Sequence, residues 1–308
     1  MSTHETDEYK EAGRLFAVAA IAQRRLPRAK GAVPRWLGKV LGRKQRFLVT
    51  RHGAHLLMAS SAWDVYATMR NDGGSWDYHD FEWCVTGVPD AGVFFDVGAN
   101  VGYFSVEMAM KLGDNVTVVA FEPQADLAAA ITSSATLNGM DNIKVVQAMV
   151  GDATQRAQLY LAPASIHASA VADSGRPNVG AIQTQMVTID DLVEAAEIPP
   201  PDMVKMDVEG SEHLVFQGAH RTFRAHLPHI FLEYLAKFDT GMRVRHQVEQ
   251  LLRDCSDLEL FGHASNDKSS GRPNAWFRMR SEADWQLIDS LFVKNAKRPV
   301  RDAHPFEP

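Results

Sequence analysis

The stretch VFFDVGANVGYFS, residues 93–105, constrains this chain more than any other. Val93–Val97 is an apolar run broken only by Asp96, and it reads as a buried strand. Gly98 and Gly102 then frame a turn, after which Val101, Phe104, Met108 and Leu112 fall on one helical face. Asn100 is placed to cap that helix and Gly113 lies past its end. Glycine at such a turn permits positive φ and lets a ligand come close to the backbone. The helix N-terminus beyond it offers unsatisfied N–H groups.

The same alternation continues downstream. Val116–Phe121 reads as a second strand, and Pro123 opens a helix that runs to about Asn138. Ile143–Val150, Met203–Met206 and Ile230–Leu235 read as further strands. Helices are expected from Ser211 to Gly218 and around Val244, Val248, Leu251 and Cys255. Two consecutive late strands, Leu258–Phe261 and Ala275–Met279, point to an antiparallel addition at one edge. The segment from Arg156 to about Met186 reads as an insert of extra strands and loop. Such alternation predicts an α/β fold with a doubly wound, mostly parallel seven-stranded sheet. Ligands of these sheets bind beyond the carboxyl ends of the strands. Residues 47–59 suggest two short strands around Gly53, and 60–90 look irregular. The expected organisation is a basic helical extension over 1–75, the main domain over 76–285, and a tail over 286–308.

The glycine turn also says which ligand is expected. Its spacing is G-x-x-x-G, whereas the dinucleotide fingerprint is G-x-G-x-x-G. Asn100 stands at the position of the middle glycine, next to Ala99, where a side chain would crowd a pyrophosphate. A buried Asp96 would repel a diphosphate but favour a cationic or donor-bearing ligand. Glu122 ends the second strand, 24 positions beyond Gly98. An acid there can accept hydrogen bonds from ribose hydroxyls. A ribonucleoside without a diphosphate and with a cationic tail fits, and S-adenosylmethionine is such a molecule. Asp152, in VGD after the third strand, is placed either to bind an adenine amino group or simply to form a turn.

The remaining composition excludes little. Cys84 and Cys255 have no metal-ligand spacing and are expected as reduced thiols, which suits a cytoplasmic protein. The longest early apolar run, Leu15–Ala22, is far shorter than the ~20 residues of a membrane span. The net charge is −6, yet no acid lies between Glu11 and Asp64. The basic 14–51 segment is either a solvated face or a contact surface for an anionic partner. It matches no nucleic-acid motif.

A second constellation is DMVKMDVEGSEHLVFQG, residues 202–218. Lys205, Asp207 and Glu209 alternate at the end of an apolar strand, so they are expected on one side of it. They form either a structural ion network or the rim of an active site. Together with FFDVGANVGYFS (94–105), FEP (121–123), TIDDL (188–192) and FLEYL (231–235), VKMDVEGSE (204–212) resembles the FkbM-type S-adenosylmethionine-dependent methyltransferases. The likeness covers about residues 75–280. It implies a class I methyltransferase fold and methyl transfer to a hydroxyl of a small molecule, sugar or secondary metabolite.

Such a transfer needs alignment, which supplies ~7–11 kcal/mol, and a base, which gives ~10²–10⁴-fold. Asp207, Glu209 and Glu233 are the catalytic candidates. Asp207 and Glu233 could instead hold Mg²⁺, which prefers oxygen ligands. His79 and His167 are weaker base candidates, and WDYHDFEW (76–83) is a possible aromatic lid. The rival readings are an NAD-dependent oxidoreductase, disfavoured by the absent middle glycine, and a non-catalytic cofactor-binding module. No asparagine–proline–proline–aromatic motif of amino-directed enzymes is present.

Overall fold

The computed structural model describes residues 46–62, 65–66, 68–69, 74, 78–161, 168–171, 180–234, 239–264, 275–286 and 288–298. The expected N-terminal helices, most of the basic segment, Trp76, His167 and the side chain of His79 lie outside the described residues. In chain order the elements begin with β1 (Arg46–Val49), β2 (His55–Met58), α1 (Tyr78–Thr86), β3 (Val93–Val97), α2 (Tyr103–Leu112), β4 (Thr117–Phe121), α3 (Ala125–Leu137), β5 (Ile143–Val146) and β6 (Met149–Val150). They continue with β7 (Gln155–Leu161), β8 (Gly180–Val187), α4 (Ile189–Glu194), β9 (Met203–Met206), α5 (Glu212–Gly218), α6 (His220–His226) and β10 (His229–Glu233). The chain closes with α7 (Asp239–Asp254), β11 (Leu258–Ala264), β12 (Ala275–Arg278) and β13 (Ser290–Asn295).

The main sheet has eight strands in the order β12-β11-β13-β10-β9-β3-β4-β5. Neighbours from β10 through β5 are parallel, while β13, β11 and β12 join antiparallel. Successive side chains alternate between two cores, as strand geometry requires. Phe95, Val119, Val204, Ile230 and Leu291 pack with α4 to α7. Phe94, Val118, Met203, Phe231 and Phe292 pack with α1, α2 and the β1–β2 hairpin. Helices thus cover both faces, which is the doubly wound arrangement.

The structure departs from the sequence-based expectation in several places. The tail expected from 286 contains β13, which lies inside the sheet between β10 and β11. Its long-range antiparallel pairing leaves no local signature. The strand expected over 143–150 is two strands. β5 closes the main sheet, and β6 pairs with β8 in a separate three-stranded sheet, β6-β8-β7. Residues 60–90, read as irregular, include α1. Asn100 does not cap α2. Gly102 holds that place, and Asn100 is itself left-handed at φ 51°.

His229 fixes the β10–β13 seam. It is fully buried, stacks on Phe292, and its Nδ1 accepts the Asn295 N–H at 3.2 Å. Burial, with Arg298 and Lys294 nearby, lowers its pKa to about 4. A depressed folded pKa means stability that is present above the unfolded value and lost as pH falls through the folded one. The native state should therefore lose ~3 kcal/mol between about pH 6.5 and pH 4. Glu122 and Glu212 are shifted upward and act in the opposite sense, so the comparison of variants isolates the histidine. In urea melts, His229→Asn should show a shallower acid loss than the parent; parallel losses would refute the assignment.

Candidate active site

The β3–α2 turn is built from alternating left-handed residues: Gly98 at φ 79°, Asn100 at φ 51° and Gly102 at φ 78°. Asparagine is among the few side chains that tolerate this region. Glu122 holds the turn from β4. Its two carboxylate oxygens accept the N–H of Asn100 at 2.9 Å and of Gln124 at 2.8 Å. Asn100 still lies in the turn, and α2 starts only at Tyr103. Burial pushes the pKa of Glu122 up to about 8, against the two N–H donors that favour its charge.

A cavity of about 440 Å³ opens beyond the carboxyl ends of β3, β4, β9 and β10. Gly98, Ala99, Asn100, Glu122, Asp207, Glu209 and Glu233 all line it. Asp96, Gly102 and Asp152 do not. Asp96 is fully buried behind the wall, accepting from Ser105 Oγ at 2.6 Å. Gly102 is required by packing, since a Cβ there would stand 2.7 Å from Ile131 Cγ1. Asp152 is exposed and acts electrostatically on His213 instead.

Lys205 joins the two constellations. Its Nζ donates to the Gly98 carbonyl at 3.2 Å and lies 3.3 Å from Asp96 and 3.6 Å from Asp207. Parallel pairing of β3 with β9 puts Asp96 and Lys205 side by side. Burial alone would lower the ammonium's pKa. The two carboxylates outweigh that penalty and hold it above its ordinary range.

Strand alternation does not carry Glu209 into the cavity, because β9 ends at Met206. Glu209 arrives there through a left-handed backbone, φ 53°, a conformation that costs ~1–3 kcal/mol in a non-glycine residue. Glu212 supports that loop by accepting the N–H groups of Val208 and Gly210, both at 3.2 Å. Burial raises the pKa of Glu212 to about 7. Asp207, Glu209 and Glu233 each place an oxygen within 4.8 Å of the other two, a set that offers three oxygens to a proton, a hydroxyl or a cation.

Several lining residues were not singled out on sequence. Asp289 and Ser290 come from the start of β13, and His263 comes from β11. Because these strands run antiparallel, the beginning of one and the end of the other reach the same edge. Leu159, Ala168 and Ala170 form an apolar wall contributed by the insert. Assigning β13 would have exposed the first group; nothing local marks the second.

Residues 96–258, more than half of the chain, match the family model of the methyltransferase FkbM domain. The chain belongs to the FkbM methyltransferase family. That membership speaks against the oxidoreductase reading. The matched segment is a methyltransferase FkbM domain. Over 129 residues the chain is 30% identical to the hexuronic acid methyltransferase AglP of Haloferax volcanii, covering 41% of this chain and 49% of that protein. It thus spans about half the length of the curated relative it matches. Among solved structures, the FkbM methyltransferase of Methylobacillus flagellatus KT is 17% identical with a TM-score of 0.43, over 67% of this chain and 44% of that one. An O-methyltransferase from Bacillus cereus, solved with S-adenosylhomocysteine, is 12% identical with a TM-score of 0.42, over 85% and 96%. No helix among the described residues is long and apolar enough to cross a membrane.

Proposed function

We propose that this FkbM-family protein transfers a methyl group from S-adenosylmethionine to a hydroxyl of a small molecule or glycan. The observation that carries the reading is the meeting of Asp207, Glu209 and Glu233 in the same cavity as Glu122 and the glycine turn. The relative named as a hexuronic acid methyltransferase supports a sugar-like acceptor.

The donor set suits this cofactor. Glu122 is anchored by two backbone donors and lines the cavity, ready to accept hydrogen bonds from a ribose diol. The turn at 98–100 lets the cofactor approach the backbone. When bound, S-adenosylmethionine supplies an electrophilic methyl on a cationic sulfur. The apolar wall excludes water, and the carboxylates orient the acceptor hydroxyl. Asp207, Glu209 or Glu233 would accept the proton of that hydroxyl. Assay of labelled methyl transfer to a panel of polyhydroxylated glycosides tests the reading. Transfer only to amine acceptors would overturn it.

Glu122 should make cofactor affinity depend on pH. The free carboxyl has a pKa of about 8, and a diol favours its ionised form. Affinity for S-adenosylhomocysteine should be flat above pH 8 and weaken by up to ~10-fold per pH unit below it. Glu122→Gln should cost ~1–3 kcal/mol at pH 8.5 and flatten the profile. Calorimetry, with NAD as the control titration, reads both; an unchanged profile in the variant would remove Glu122 from the cofactor site.

The three convergent oxygens also suit Mg²⁺, a second reading motivated by their separation. Treatment with EDTA followed by Mg²⁺ should restore lost turnover if they hold the metal. Full activity in EDTA leaves the carboxylates as proton acceptors.

A further inference from the structure

Three neighbouring strands carry a matched row of polar residues into the cavity. Across β10, β13 and β11, Glu233 pairs with Ser290, and Ser290 pairs with His263. Directly opposed residues of antiparallel strands place their side chains on the same face of the sheet. Two residues deeper along each strand, Phe231, Phe292 and Phe261 form the preceding row on that face. All three phenylalanines are buried in the core shared with α1 and α2. Glu233, Ser290 and His263 all line the cavity. The apolar core thus gives way to hydrogen-bonding side chains within a single step of the pleat.

The outer end of the row is held in place. The His263 side chain is only 17% exposed, and its Nδ1 lies 3.4 Å from Asp289 Oδ1. Its ring stands 5.1 Å from that of Trp276, its register partner on β12. Asp289 also donates its N–H to the His263 carbonyl at 3.0 Å, and its own carbonyl accepts the Tyr234 N–H at 2.7 Å. The inner end is Glu233, which meets Asp207 and Glu209. Sheet order gives the row a direction. β3 and β4, which lead into the glycine turn and Glu122, lie on one side of β9, while β10, β13 and β11 follow one another on the other. The row therefore starts at the carboxylates and runs away from the expected cofactor residues. Two strand spacings separate its ends by ~10 Å. A ring with hydroxyls on opposite sides can bridge that span, and a single hydroxyl cannot.

We infer that the row Glu233–Ser290–His263 is the acceptor subsite, and that it selects a ring bearing several hydroxyls, such as a monosaccharide unit. The inference rests on the reading of the cavity as a methyl-transfer site. Glu233 lies where the hydroxyl to be methylated meets Asp207 and Glu209. A serine hydroxyl and a neutral imidazole each donate and accept hydrogen bonds. Ser290 and His263 can therefore hold further hydroxyls of the same ring and set which one reaches the carboxylates. Phe231, which also lines the cavity, offers an apolar surface to the C–H face of such a ring. An acceptor with one hydroxyl would leave part of the row unmatched, which costs affinity.

The test is a saturation-transfer NMR titration of the full chain loaded with S-adenosylhomocysteine. The probes are the methyl glycosides of glucose, galactose and mannose, with cyclohexanol as the single-hydroxyl control. At least one glycoside should bind more tightly than cyclohexanol. Its affinity should fall about tenfold in His263→Ala and about threefold in Ser290→Ala. It should stay unchanged in Glu259→Gln, a β11 residue outside the cavity that pairs with Arg278. Affinity for S-adenosylhomocysteine should be the same in all four proteins. Failure of every glycoside to bind, binding no tighter than that of cyclohexanol, or equal glycoside affinity in the parent and His263→Ala would overturn the inference. Labelled methyl transfer, measured on the same glycosides, tests the reaction separately. Glycosides that bind through His263 yet receive no methyl group would overturn the proposed hydroxyl methylation and leave the subsite standing.

Discussion

Asp207→Asn is expected to lower turnover by ~10²–10⁴-fold while leaving affinity for S-adenosylhomocysteine nearly unchanged. The substitution is almost isosteric. The Asp207 N–H keeps its bond to the Val97 carbonyl at 3.0 Å, so the loop stays in register. What is lost is a charge 3.6 Å from Lys205 and within 4.8 Å of Glu209 and Glu233. Lys205 retains Asp96 and the Gly98 carbonyl as partners, so the cofactor turn is still braced. Glu209→Gln and Glu233→Gln, measured beside it, show which carboxylate takes the proton: the largest fall in kcat with unchanged affinity marks the base. Equal losses in turnover and affinity for Asp207→Asn would reassign the residue to the cofactor or to folding.

Gly98→Ala should cost ~3–5 kcal/mol of stability and abolish cofactor binding. Two causes add. The backbone sits at φ 79°, where a Cβ is strained, and that Cβ would stand 2.0 Å from the Asp207 carbonyl oxygen. Neither chain can move aside easily. Gly98 N–H bonds to the Phe121 carbonyl at 3.1 Å, while the Asp207 loop is bonded to Val97. Gly113→Ala separates the causes. Gly113 has nearly the same φ, 77°, but a Cβ there meets nothing within 4 Å. It should lose only the strain of a side chain in that glycine-favoured backbone region, ~1–3 kcal/mol. Similar urea midpoints for the two variants would mean that the contact with Asp207 contributes nothing.

The parts of the site that were legible in the sequence are those written in consecutive residues. The glycine turn, Glu122 and the Lys205–Glu209 run carry their own spacing, and all but Asp96, Gly102 and Asp152 among the expected residues line the cavity. Asp96 does not line the cavity, and its charge faces Lys205, a pairing visible only once β3 lies beside β9. Asp152 lies away from the cavity lining because the chain leaves the main sheet after β5, and it acts on His213 of α5. β13, His263 and Asp289 were hidden for a related reason. Antiparallel pairing between segments tens of residues apart is decided by the folded sheet, not by local periodicity.

The small sheet β6-β8-β7 has a consequence for how the cavity can be altered. Met149, Leu159 and Met186 pack with Ala168 and Ala170 into a cluster of their own, and that cluster backs one wall of the cavity. None of its strands pairs with the eight-stranded sheet. Substitutions in β7 and β8 can therefore reshape the wall without disturbing the register of β3 against β9. One face of the cavity can thus be rebuilt by exchanges in the small sheet while the glycine turn keeps its pairing partners.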